Sequence, residues 1–141
     1  MGLIQAIKSR FAKKVSAEGE TLADSRAEPA PGPTPWIGVD LDGTLAYFDA
    51  ESSLAEIGPP VAAMLAKTKE LIASGERVKI FTARAADPGQ LPLIRKWLQE
   101  NSLPPLEITN VKDFYMIRLY DDRSIQVEKN TGRILGDAGG E

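Results

Sequence analysis

The chain has 141 residues, of which 20 are acidic and 17 basic, and its formal net charge is -3. That length suits one domain with one hydrophobic core, and the mild acidity disfavours a protein that coats nucleic acid. Cysteine and histidine are absent, which excludes disulfides, thiolate metal sites and the usual neutral-pH general base. Any metal is therefore expected to be an oxygen-liking cation such as Mg²⁺. No apolar run is long enough to span a bilayer and no secretory signal is visible, so we expect a cytoplasmic protein.

The N-terminal residues differ in pattern from the rest of the chain. Residues 1–20 carry lysine and arginine between apolar positions at helical spacing, namely Leu3, Ile4, Ile7, Phe11 and Val15. This pattern fits either a basic amphipathic helix that contacts a membrane or a protein partner, or a marginal helix that frays when alone. Residues 21–35 are rich in proline and alanine and predict an extended linker. We therefore expect the folded domain at residues 36–141.

Predicted strands recur along this domain. Short apolar runs predict strands at Trp36–Val39, Val78–Phe81, Leu106–Thr109 and Ile117–Tyr120. The final segment predicts a hairpin, with Ile125–Val127 and Arg133–Leu135 joined by a turn that ends in Gly132.

Predicted helices lie between the strands. The first opens at Pro59-Pro60 and ends before Gly75, and the second begins near Pro92 and ends near Asn101. The inward faces are predicted to be Val61, Met64, Leu65, Thr68, Leu71 and Ile72 in the first helix, and Ile94, Trp97 and Leu98 in the second. Strands that alternate with helices predict an α/β fold with a mainly parallel sheet flanked by helices.

Polar residues follow each of the four predicted strands. These stretches are Asp40-Leu41-Asp42-Gly43-Thr44, Thr82-Ala83-Arg84, Thr109-Asn110-Val111-Lys112 and Asp121-Asp122-Arg123. Ligands bind beyond the carboxyl ends of the strands in an open parallel sheet. We therefore expect these side chains to converge on one site.

The chemistry of this set suggests phosphate. Asp40 and Asp42, together with an aspartate from 121–122, would repel each other, and a divalent cation such as Mg²⁺ would relieve the repulsion. Thr82 and Lys112 would supply a hydroxyl donor and a positive charge for phosphate oxygens. One carboxylate would attack phosphorus while the other moves protons, so histidine is not needed.

These residues also resemble known motifs. D-x-D-G-T-L at residues 40–45, Thr82, Lys112 and the Asp121-Asp122 pair resemble, in order and spacing, the four motifs of the haloacid dehalogenase (HAD) superfamily. The resemblance implies a Rossmann-like core. It also implies a Mg²⁺-dependent phosphomonoester hydrolase.

The resemblance further implies individual roles. Asp40 would be the nucleophile that forms an aspartyl-phosphate, and Asp42 would protonate the leaving group and then activate water. Thr82 and Lys112 would bind the transferring phosphate. The implied metal site comprises Asp40, Asp42 through its backbone carbonyl, Asp122 directly, and Asp121 directly or through water.

Other parts of the first motif have implied structural roles. Gly43 would let the chain bend without a Cβ that crowds the metal site. Thr44 would stabilise the loop and hydrogen-bond Asp42. The segment Ala46–Ile57 would be a β-hairpin flap, in which Tyr47 and Phe48 either shape the substrate mouth or pack the flap.

Two features of the sequence indicate which subgroup of the HAD superfamily the chain resembles. The stretches 45–59 and 82–112 are too short to hold a cap domain, so we expect an uncapped site that is either open to solvent and able to accept a bulky substrate or covered by a partner. The triplets Thr82-Ala83-Arg84 and Asp121-Asp122-Arg123 resemble the 3′-phosphatase half of phage polynucleotide kinase/phosphatase. That likeness makes Arg84 and Arg123 candidates for contacts with substrate or with the site carboxylates.

Several alternatives stay open at this level. Asp42-Gly43 also fits a plain two-residue hairpin turn. The substrate expected for such a hydrolase is a phosphorylated small molecule, such as a nucleotide or sugar phosphate, or the 3′-phosphate end of a nucleic acid. A different class of role is a binding or assembly module that keeps a HAD scaffold and docks through residues 1–20.

Overall fold

The computed structural model describes residues 34–136 of the chain. In chain order its elements are β1 (Trp36–Val39), α1 (Ala62–Ala73), β2 (Val78–Phe81), α2 (Leu91–Glu100), β3 (Glu107–Thr109), β4 (Met116–Tyr120), β5 (Gln126–Val127) and β6 (Ile134–Leu135). Two short 3₁₀ segments, Ala83–Ala86 and Pro88–Gln90, connect β2 to α2. The predicted N-terminal segment at 1–20 lies outside the described residues, as does nearly all of the linker at 21–35.

The main sheet has four strands in the order β3-β2-β1-β4, and every neighbouring pair is parallel. The register places Val39 beside Ile80 of β2 and beside Tyr120 of β4. The chain passes from β1 to β2 on one side, whereas β4 lies on the other side of β1. This reversal opens a crevice at the carboxyl ends of β1 and β4, where α/β proteins bind ligands. The predicted parallel sheet flanked by helices is confirmed, and its arrangement is Rossmann-like.

Both helices pack on one hydrophobic core. The buried members of that core are Val39, Leu41, Leu45, Ala46, Val78, Ile80, Ile94, Trp97, Leu98 and Leu103. The predicted inward face of α2 is confirmed, and residues of α1 such as Met64 and Leu71 pack against the same core. Gly75 has a positive φ of 90° directly after α1, as expected for a residue that ends a helix. Residues of both helices therefore pack against the same hydrophobic core as the sheet.

The C-terminal hairpin is also confirmed. Strands β5 and β6 pair in antiparallel fashion, with Val127 opposite Ile134. Asn130 and Gly132 adopt the positive φ values, 67° and 82°, that a tight turn between such strands requires.

The predicted flap differs from expectation. Residues 47–59 contain turns and extended stretches but no strand, and the pairing there is reduced to a single bridge between Ala46 and Pro60. The segment is a loop fixed by side chains from elsewhere, since Trp97 Nε1 donates to Gly58 O at 2.7 Å. A β-hairpin flap was therefore the wrong prediction for this segment. No helix in the described residues is long and apolar enough to cross a membrane.

Candidate functional site

The loop after β1 is built around two buried leucines. Leu41 and Leu45 have no exposed surface and belong to the core, whereas the intervening polar residues face the crevice. The turn closes on itself, because the amides of Leu45 and Ala46 both donate to the carbonyl of Leu41, at 2.9 and 2.8 Å. Strand β1 has only parallel partners, so the two-residue hairpin at Asp42 is excluded.

Gly43 occupies the tightest point of this loop. Its φ is +91°, and a Cβ added there would lie 2.6 Å from Oδ2 of Asp122. Both the backbone conformation and the space therefore demand glycine. This geometry agrees with the reason inferred from sequence, because a side chain at residue 43 would clash with the carboxylate of Asp122.

Three carboxylates meet at the crevice between β1 and β4. Asp40 follows β1, Asp121 and Asp122 follow β4, and one carboxylate oxygen of each lies within 4.8 Å of the others. The amide of Asp40 donates to Tyr120 O at 2.9 Å, which continues the β1–β4 pairing up to the site. Hard cations favour such all-oxygen sets, so the donor chemistry fits a divalent ion of the Mg²⁺ type. The side chain of Asp42 does not belong to this cluster.

The crowding is visible in the protonation of Asp40. Burial, repulsion from Asp121 and a hydrogen bond to Asp122 together raise the pKa of Asp40 from 3.8 to about 7. The hydroxyl of Thr44 acts in the opposite direction. A group that resists ionisation among its like-charged neighbours is one that a bound cation would stabilise.

This crowding predicts a distinctive pH dependence of stability. Between pH 3.8 and about 7 the folded metal-free protein retains a proton on Asp40 that the unfolded chain has lost. Its free energy of unfolding should therefore fall as pH rises, by about 1–3 kcal/mol between pH 5 and 7.5. Urea unfolding in EDTA at the two pH values measures this change.

Added Mg²⁺ and two variants test whether Asp40 causes the change of stability with pH. Millimolar Mg²⁺ at pH 7.5 should recover the lost stability, because a bound ligand stabilises the folded state. Asp40→Asn should remove most of the pH effect, whereas Glu76→Gln, which removes an exposed carboxylate after α1, should leave it unchanged. A flat profile for the metal-free wild type contradicts the prediction.

Thr44 joins the two sides of the cluster. Its hydroxyl lies 3.2 Å from Asp40 Oδ2 and 3.0 Å from Asp122 Oδ1, and it accepts the amide of Asp122 at 2.9 Å. The predicted bond from Thr44 to Asp42 is not formed. The reason is that β4 brings Asp122 beside the loop, and its amide needs an acceptor there. Thr44 thus fixes the distance between the β1 and β4 carboxylates.

Asp42 is held by a buried arginine. Arg84 Nε donates to Asp42 Oδ2 at 2.7 Å, and Nη2 donates to Oδ1 at 2.9 Å. The arginine side chain is only 2% exposed and that of Asp42 is 19% exposed. A bidentate pair of this kind is both strong and directional. Of the two roles considered for Arg84, this contact supports the one toward a site carboxylate.

Thr82 lies at the end of β2 and lines the same cleft as Asp40. Its hydroxyl oxygen accepts the Arg84 amide at 3.1 Å, which starts the 3₁₀ segment, and the residue is 2% exposed. The hydroxyl proton makes no hydrogen bond to the rest of the described chain. It is therefore free to be donated to a ligand oxygen in the cleft.

The cleft itself has a volume of about 740 Å³. Its lining combines polar and apolar residues, namely Asp40, Asp42, Phe48, Leu54, Phe81, Thr82, Ala83, Arg84, Ala86, Asp87, Gln90, Asn110, Asp121 and Arg123. Phe48 lines the cleft and Tyr47 is 54% exposed. The open shape suits a substrate that enters from solvent.

The two remaining cations are placed differently. Arg123 lines the cleft and is exposed, and its guanidinium makes no hydrogen bond or ion pair within residues 34–136. Lys112 is exposed and does not line the cleft, although Asn110 of the same loop does. The structure thus brings Arg123 to the site, but it does not bring Lys112 there.

One polar neighbour was not found from the sequence. Gln90, just before α2, accepts from Arg84 Nη1 at 2.7 Å and donates to Leu54 O at 3.0 Å. No local motif marks Gln90, because its importance arises from the position of Arg84 and of a loop distant in sequence.

Comparisons with known proteins give no similarity from which a role can be transferred. No family model, curated protein or solved structure matches the chain. The acidic cluster, the Arg84 pair and the open cleft are therefore the grounds on which a function has to be argued.

Proposed function

We propose that the chain is a Mg²⁺-dependent phosphomonoester hydrolase of the HAD superfamily that acts through an aspartyl-phosphate on Asp40. The observation that carries this proposal is the convergence of Asp40, Asp121 and Asp122 at the β1–β4 crevice, with their oxygens within 4.8 Å. Thr82 opens into the same cleft. The order of these residues along the chain supports the same family.

The metal part of the proposal depends on the donor set. Asp40, Asp121 and Asp122 would hold the ion, and the raised pKa of Asp40 indicates that its carboxylate lacks a counter-charge. When bound, Mg²⁺ would neutralise charge on the carboxylates and on a substrate phosphate. The backbone carbonyl of Asp42 stays a predicted ligand.

The protein residues account for a two-step reaction. Asp42, which is ion-paired with Arg84 in the free protein, has to bind a proton before the first step. A carboxylate oxygen of Asp40 then attacks phosphorus, the ester P–O bond breaks, and the leaving oxygen takes that proton from Asp42. Water then attacks the phosphorus of the acyl phosphate and gives a proton to Asp42. The P–O bond to Asp40 breaks and inorganic phosphate leaves. Thr82 donates to a phosphate oxygen, and the same role for Lys112, which does not line the cleft, stays a prediction.

The lining of the cleft favours a small substrate over a nucleic-acid end. Phe48, Leu54 and Phe81 contribute apolar surface to the cleft, and Arg123 contributes a cation that has no partner within residues 34–136. Nucleic acids are usually held by several phosphate contacts from Lys and Arg. We therefore favour a phosphate ester with a largely neutral leaving group, and keep the polynucleotide 3′-phosphatase as the second candidate.

The proposal is tested by phosphate release at pH 7 from p-nitrophenyl phosphate, small metabolite esters and a 3′-phosphorylated oligonucleotide. Activity that needs Mg²⁺ and disappears with EDTA supports the hydrolase. Absence of Mg²⁺-dependent release from every ester overturns it. Preference for the oligonucleotide selects the second candidate.

Arg123 should contribute mainly to substrate binding. Its exposed guanidinium is positioned for a charge-assisted hydrogen bond to the substrate, so Arg123→Gln should raise KM about 10-fold and change kcat by less than about 3-fold. Steady-state kinetics with p-nitrophenyl phosphate measure both constants. Arg95→Gln, an exposed arginine on α2 away from the cleft, is the matched control and should behave as the wild type. An unchanged KM in Arg123→Gln contradicts this role.

A further inference from the structure

We propose that Gln90 is a positioning residue that acts through Arg84 on two targets at once, the carboxylate of Asp42 and the loop at residues 53–56. The catalytic part of this inference rests on the proposed function. The mechanical part, a link between the loop and Asp42, rests on the hydrogen bonds alone.

The hydrogen bonds of Arg84 reveal the link. A guanidinium has five N–H donors. Two of them bind Asp42, Nη2 also reaches Glu56 O at 3.1 Å and Ser53 O at 3.5 Å, and Nη1 reaches Leu54 O at 3.2 Å. The last donor, on Nη1, binds Gln90 Oε1 at 2.7 Å. All five donors are therefore used, as burial of this group requires.

The amide of Gln90 is matched to both of its neighbours. Its oxygen accepts from Arg84, and its nitrogen donates to the carbonyl of Leu54 at 3.0 Å. The opposite orientation of the amide would set N–H against N–H and oxygen against oxygen, so the network fixes one orientation. The backbone of Gln90 is also fixed, because its main-chain N–H donates to Asp87 O at 2.8 Å.

Gln90 therefore braces the arginine from the side opposite to the carboxylate. Leu54 O receives both Arg84 and Gln90, so the loop carbonyl, the amide and the guanidinium form a closed triangle. Loss of the Gln90 amide would leave one Nη1 donor without an acceptor. The guanidinium would then be free to turn, and Asp42 and the loop would loosen together.

The position of Asp42 matters for the proton transfer to the leaving oxygen. In the proposed mechanism Asp42 transfers a proton to the leaving oxygen. If Asp42 is misplaced, hydrolysis should slow most for esters whose leaving group needs that proton. Alkyl phosphates need that proton, whereas p-nitrophenyl phosphate releases a stable anion. A residue that acts through Asp42 should therefore affect the two esters differently, and a residue that only supports the fold should affect them equally.

The experiment compares Gln90→Met with the wild type on p-nitrophenyl phosphate and on an alkyl phosphate. Gln99→Met, the same change at an exposed position on α2, is the matched control. We expect Gln90→Met to lower kcat for the alkyl ester about 10-fold more than kcat for the aryl ester, and Gln99→Met to leave both unchanged. Equal loss on both esters, or no loss, overturns the positioning role.

A second measurement tests the link without activity. Backbone hydrogen exchange of residues 47–58 should accelerate in Gln90→Met and also in Asp42→Asn, because the loop and Asp42 share Arg84. Unchanged exchange in both variants overturns the link. If Gln90→Met fails to fold, Gln90→Glu retains an acceptor for Arg84, replaces the donor to Leu54 O by a charged carboxylate oxygen, and should show the faster exchange.

The two failures are distinguishable. If the wild type hydrolyses neither ester with Mg²⁺, the proposed function is wrong, and the exchange measurement still decides the link. If the wild type is active and Gln90→Met keeps the wild-type ratio of the two esters, only the positioning role of Gln90 is wrong.

Discussion

Asp40→Asn is expected to abolish Mg²⁺-dependent phosphate release, with a loss of at least about 1,000-fold in kcat, while the fold is retained. The amide has the shape of the carboxylate but is a poor nucleophile, and it removes one of the three charges of the cluster. The same substitution should make the metal-free protein more stable at pH 7.5. A variant that is more stable and inactive separates catalysis from folding.

The matched control is Asp87→Asn. Asp87 lines the same cleft, and its Oδ1 accepts the amide of Gly89 at 2.9 Å, a bond that the asparagine oxygen can also make. This variant should keep activity within about 5-fold of the wild type. A second readout is the covalent intermediate. Acid-quenched wild type should carry substrate phosphate in a hydroxylamine-labile form, and Asp40→Asn should carry none.

Either of two results contradicts the assignment of Asp40. Full activity in the Asp40→Asn variant would show that Asp40 is not the nucleophile. Labelled protein in Asp40→Asn, with the same lability, moves the intermediate to another carboxylate of the cluster, of which Asp121 is the other partly buried member.

The sequence predicts the sheet and much of the cleft because both depend on local patterns. Short apolar runs mark strands, and parallel strands bring the residues that follow them to one edge. Asp40, Thr82 and Asp121 could therefore be placed together before any coordinates. Leu41 and Leu45, which flank the polar residues of the first loop, were not predicted as core residues, and the structure buries both.

The loop after the first motif could not be predicted in the same way. Its conformation depends on hydrogen bonds from side chains of other elements. Arg84 donates to three carbonyls of the loop, and Trp97 donates to Gly58 O. A hairpin would need a ladder of cross-strand pairs, whereas residues 47–59 contain no strand and the ends of the loop are joined by the backbone bond from Tyr47 N to Pro59 O at 2.8 Å. The partner of Thr44 was missed for a similar reason, because β4 brings the Asp122 amide to it.

The division between predictable and unpredictable residues follows sequence distance and burial. Lys112 has no contact in the described chain that fixes its side chain, so a motif alone cannot determine where its ammonium lies. The side chain of Gln90, in contrast to that of Lys112, is fixed by contacts. Its contacts with Arg84 and Leu54 are short, yet no residue near it in the sequence indicates them.

Arg84→Met is expected to have the largest effect on stability, lowering the free energy of unfolding by about 3–5 kcal/mol. It leaves Asp42 without its counter-charge, and it removes the hydrogen bonds to the carbonyls of Ser53, Leu54 and Glu56. Urea unfolding at pH 7 measures the loss. Phosphatase activity should fall with it, because Asp42 and the loop lose the same support.

A double-mutant cycle separates the pair from the rest of the network. The double variant Asp42→Asn with Arg84→Met should lose much less stability than the two single variants added together, with a coupling free energy of at least about 2 kcal/mol. The surface pair of Arg77 and Glu107 is the matched comparison. Its atoms also approach to 2.8 Å, but its side chains are 41% and 55% exposed. Water screens that pair, so its coupling should stay below about 1 kcal/mol.

The cycle discriminates between two views of the arginine. If burial gives the pair its strength, Arg84 and Asp42 couple several times more strongly than Arg77 and Glu107 despite nearly equal distances. If the coupling energies are the same, Arg84 stabilises the protein through the loop carbonyls alone, and Asp42 is free to move independently of the loop. In that case Asp42→Asn should leave hydrogen exchange in residues 47–58 unchanged, which ties the outcome for Arg84 to the role inferred for Gln90.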